Sequence, residues 1–114
     1  MTGDLIPHFE LIDAGGRHVN YAADLWQRKA VVLVCGAMTS AALRHDLEGI
    51  ESDDVALVIT PGPLPGLPGA SAAIVDRWGE VAHTWDKAPS NAAEVGSWLE
   101  HVQMRCPECE GETK

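Results

Sequence analysis

Cys106-Pro107-Glu108-Cys109 carries two thiols at the spacing used both by redox dithiols and by half of a zinc site. Zinc closes a structural site with four ligands, so the pair needs help. His101, five residues earlier, offers a third ligand, and a dimer could bring two such pairs together. A third reading gives Cys106 the end of an apolar helix stripe and leaves Cys109 an idle tail thiol. The remaining cysteine, Cys35, lies inside the run Ala30-Val-Val-Leu-Val-Cys-Gly36, where a thiol acts as a small hydrophobe and burial raises its pKa. Three cysteines, an odd count, make no disulfide framework. Next along the chain stand Thr39 and Ser40, either of which can cap a helix. The histidines (His8, His18, His45, His83 and His101) are scattered without an HxxxH pair. Ser40 lacks the G-x-S-x-G elbow of a hydrolase, and the Gly/Pro segment lacks the GK[ST] of a phosphate loop.

The elements around these residues follow from periodicity. Phe9, Leu11 and Ile12 predict a short strand, closed by a turn at Asp13-Ala-Gly-Gly16, with His18–Tyr21 as its hairpin partner. Ala22–Arg28 is expected to form one or two helical turns with Leu25 and Trp26 inward. Ala30–Gly36 has the β-branched composition of a strand covered on both faces. A helix follows, with Leu43, Leu47 and Ile50 inward, ending at Asp53-Asp54. Val55–Thr60 is a second buried strand. Residues 61–71 hold four prolines and three glycines and cannot be helical. Ala72–Asp76 and Glu80–Trp85 predict a hairpin about an Arg-Trp-Gly turn. Asn91–Arg105 predicts an amphipathic helix, with Asn91 and Glu94 as a capping pair and Val95, Trp98, Leu99 and Val102 on one face. Trp26, Trp85 and Trp98 belong to the core and its rim, whereas Trp78, beside Gly79, is expected to be exposed and to mark a contact surface.

Composition bounds the rest. The 114 residues suit one domain, 1–114, with 106–114 a polar tail. Apolar residues make up 46% and charged residues 22%, which is globular composition. Eight Lys and Arg against 17 Asp and Glu leave a net charge of −9, which disfavours nucleic acid and anionic membranes as partners. The longest apolar stretch, Ala30–Met38, is far below the ~20 residues that span a bilayer. The first seven residues lack the basic and apolar regions of a signal peptide, so a soluble, cytoplasmic protein is expected.

In order and spacing, Gly3-Asp4 with Pro7-His-Phe-Glu-Leu11, the Asp13–Gly16 turn, the strand Val31–Val34 and Ile74-Val-Asp-Arg-Trp-Gly-Glu-Val81 carry a resemblance over nearly the whole chain. The sequence resembles the thioredoxin-like fold and, within it, the peroxiredoxin branch (alkyl hydroperoxide reductase and thiol-specific antioxidant family). The resemblance implies an α/β fold, a central mixed sheet with flanking helices. The helix between the second core strand and the terminal hairpin is replaced here by the Pro/Gly loop. That deletion is compatible with the topology, because the next strand runs antiparallel and the chain re-enters at the edge it left. It is expected to uncover one apolar sheet face, which a homodimer would bury.

The resemblance also places the chemistry where the first buried strand enters the first long helix. The family's peroxide-reactive cysteine falls at or next to Ser40, and a second, where present, near Leu43. Neither is cysteine here. A serine hydroxyl stays protonated near neutrality and has no sulfenic acid step. Thr39 matches the threonine that orients peroxide, or else caps the helix. Pro68 is nearest to the family's cis-proline, about two residues early. The corner is degenerate, so any thiol–disulfide activity with a protein partner rests on Cys106 and Cys109. At a helix C-terminus beside Glu108 and Glu110 these are expected to be slow nucleophiles, because thioredoxin-type dithiols use the opposite helix end. No cofactor is expected, apart from zinc in the metal reading of Cys106, Cys109 and His101. The alternative is a non-catalytic, homodimeric binding or assembly module.

Overall fold

A strand throws alternate side chains to opposite faces, so the wholly apolar run from Ala30 to Cys35 is stable only where both faces are covered. The computed structural model describes residues 5–67 and 69–103. Its elements are β1 (Glu10–Ile12), β2 (His18–Asn20), α1 (Tyr21–Asp24), β3 (Ala30–Cys35), α2 (Ala41–Leu47), β4 (Val55–Thr60), β5 (Ala72–Val75), β6 (Val81–Trp85) and α3 (Ala92–Gln103). Short 3-10 turns at Gly36–Met38 and Glu48–Ile50 flank α2. β1 and β2 form a hairpin, and the other strands form a mixed sheet in the order β4-β3-β5-β6. β3 and β4 are parallel, from Ala30 beside Val55 to Cys35 beside Thr60. β5 runs antiparallel to β3, and β6 antiparallel to β5. The protein is thus an α/β domain with both sheet faces packed.

One face of β3 (Ala30, Val32, Val34) lies in a core with Leu43 and Leu47 of α2 and Val95, Leu99 and Val102 of α3. The other face (Val31, Leu33, Cys35) lies in a second core with Ile6, Phe9, Tyr21, Leu25, Leu64 and Ala70. This corrects the expectation of a bare apolar face. Loop 61–71 does stand where a helix was expected to be missing, but it folds over the sheet and buries Leu64 to 2% exposure. The amino-terminal segment supplies the rest of the cover. The two meet closely: a Cβ on Gly66, whose φ is +71°, would lie 2.7 Å from Pro7 Cδ. Among the described residues, this sheet face is therefore covered by the chain itself.

Local boundaries differ from the sequence expectations for identifiable reasons. β2 stops at Asn20 rather than Tyr21, because the Asn20 side chain accepts from Ala23 N at 3.1 Å and starts α1. That helix lasts one turn before the chain bends away through Gln27 at φ 66°. α2 tightens into a 3-10 turn after Leu47, short of Asp53-Asp54. α3 begins as expected, with Asn91 Oδ1 accepting from Glu94 N at 2.9 Å. Pro68, Arg105, Cys106, Cys109 and the expected 106–114 tail lie outside the described residues, among which no peptide bond is cis. The outer edge of β4 is occupied: Ala14 N donates to Ile59 O at 2.8 Å, and Leu57 N to a Glu51 carboxylate oxygen at 3.1 Å. No helix among the described residues is long and apolar enough to cross a membrane.

Candidate functional site

The corner singled out by the sequence lies between the end of β3 and the start of α2. Cys35, last in β3, is 5% exposed and belongs to the core under Leu64 and Ala70. Its backbone N–H donates to Ser71 O at 2.8 Å. The 3-10 turn Gly36–Met38 then carries the chain to Thr39 and Ser40. Thr39 is 6% exposed, and its hydroxyl donates to Cys35 O at 2.9 Å. Ser40 adopts an extended conformation (φ −66°, ψ 156°), and its Oγ accepts from Leu43 N at 3.1 Å. Ser40 is therefore the helix cap, and Thr39 ties the turn back to the strand it left. Both hydroxyls act on the chain's own backbone, and the sole thiol of the corner is enclosed in hydrocarbon. Nothing in this arrangement supplies a nucleophile.

Sequence reasoning missed a cation here. Arg44, one turn into α2, lies against the corner: its Nη1 is 3.7 Å from where a Cβ on Gly36 would stand. Its Nε is buried without an acceptor among the described residues. Gly36 has no room for a side chain, since a Cβ there would be 3.2 Å from both Thr60 O and Ile59 Cγ2. No sequence signal marks Arg44, which reads simply as a polar position on a helix.

The second candidate region is α3 and its continuation. Trp85 Nε1 donates to Glu94 Oε2 at 3.1 Å, and Ser90 N donates to Glu94 Oε1 at 2.9 Å. These bonds, the indole first, hold the Glu94 carboxyl below its ordinary range. One turn further on, Trp98 stacks on His83 with ring centroids 3.9 Å apart and planes 10° apart. Trp85 meets the same imidazole edge-on at 4.5 Å. Burial lowers the His83 pKa, with the Glu94 charge opposing it. His101 is exposed and touches Trp98 edge-on at 6.1 Å. Among the described residues, no three His, Cys, Asp or Glu side chains gather as metal ligands.

These contacts fix the direction of α3. Glu94 sits at the level of Trp85, and Trp98 at the level of the earlier residue His83, so the helix runs antiparallel to β6. Trp85 pairs with Ala72, and Ala72 with Val34, so the first turn of α3 shares an end of the sheet with Cys35. Its last turn is therefore at the opposite end, near the start of β6. From Glu94 to Gln103 the axis advances about 13 Å. Cys106 and Cys109, beyond Gln103, lie outside the described residues.

No protein-family model matches the chain, and no curated protein matches it either.

Proposed function

We propose that this is a thioredoxin-like protein of the peroxiredoxin kind whose usual reactive corner has become structural, and whose thiol–disulfide chemistry rests on Cys106 and Cys109. The strand order β4-β3-β5-β6, with a parallel first pair, an antiparallel hairpin and α2 and α3 against one face, supports the fold assignment. One observation carries the functional reading: Ser40 Oγ caps α2 and Cys35 is buried, leaving the corner without a sulfur able to meet peroxide. In a reducing cytoplasm the Cys106–Cys109 pair would rest as a dithiol. It would pass two electrons to a disulfide of a protein partner and close on itself. Intact mass with and without reductant tests this. A reversible two-dalton change that disappears in Cys106→Ser is expected, together with negligible peroxide consumption. A mass unmoved by oxidant refutes it.

The same corner geometry favours a second reading, a non-catalytic binding or assembly module. Both sheet faces are covered, so a homodimer would have to use another surface. Zinc held by paired CxxC motifs, with or without His101, would appear as about one metal per dimer in elemental analysis.

A further inference from the structure

We draw no further inference here: the strongest candidate, the half-open groove between the Leu5–Pro7 segment and Gly66–Leu67 over Val81, carries none because nothing in the structure shows what covers it.

Discussion

Placing a sulfur at the corner tests whether the start of α2 would lower the pKa of a thiol held there. In Ser40→Cys, made with Cys106 and Cys109 both changed to Ser, the new Sγ stands where Oγ accepts from Leu43 N at 3.1 Å. A neutral thiol is a poor cap, so the fold should lose about 1 kcal/mol. A thiolate would accept the same N–H as a charge-assisted bond, worth about 1.5 to 3 kcal/mol. Ser40 is exposed, so the lower figure applies. About 1.4 kcal/mol is a tenfold shift in the ionisation equilibrium. Free cysteine is a few per cent thiolate at pH 7, and the variant should therefore be some tens of per cent thiolate. Iodoacetamide alkylation across pH 5–10, followed by mass, reads this directly, with the Cys106→Ser/Cys109→Ser parent as the blank because Cys35 is enclosed. An apparent midpoint at or above that of a free thiol would refute the reasoning, and so would comparable alkylation of the parent. Peroxide should convert the variant, and not the parent, to the sulfenic acid.

Other outcomes follow from the packing. Gly66→Ala should cost at least 2 kcal/mol in urea unfolding, since the new methyl meets Pro7 at 2.7 Å with φ at +71°. Gly69→Ala, with nothing within 4 Å, should stay within about 0.5 kcal/mol. Leu64→Ala should cost about 2 to 5 kcal/mol and raise binding of an apolar dye, as expected if this loop closes the second sheet face. Acid should weaken the fold in two stages. His83 is held below the ordinary 6.5 by burial, against the Glu94 charge, so its contribution is complete above pH 6.5 and is lost as pH falls through the lower folded value. Glu94 is held below 4.5 by the Trp85 indole and the Ser90 N–H, so its share is lost only at more acidic pH. Urea midpoints at pH 7.5 and 5 should differ, and the difference should shrink in His83→Gln. An undiminished difference would refute the assignment to His83.

Much of this fold is legible because its signals are local. The β-branched run at 30–35, the prolines of 61–71 and the Asn91–Glu94 cap each act within a few residues, and each stands where periodicity or capping places it. Ser40 capping α2 is legible for the same reason. What covers the second sheet face was not. Ile6, Phe9, Tyr21 and Leu64 are brought together by pairings across dozens of residues, such as Ile6 with Gly79, which no window of sequence contains. The placements of Arg44 over Gly36 and of His83 on Trp98 are likewise products of tertiary packing. The direction of α3 follows from its contacts with Trp85 and His83 of β6 and not from any motif.

The patchwork over the second sheet face has a consequence for how the chain acquires its structure. A three-residue hairpin and a one-turn helix are too short to persist alone. Their apolar side chains gather in a core with Val75 and Val81, which leave the ribosome some fifty residues later. The opening third of the polypeptide must therefore wait, unstructured, until the terminal hairpin is made, and only then settle as one cooperative step. Folding should be slow for a chain of this size, with high contact order. Trimming the first few residues up to Ile6 should loosen the Pro/Gly loop that packs on the same sheet face as much as the end that was cut.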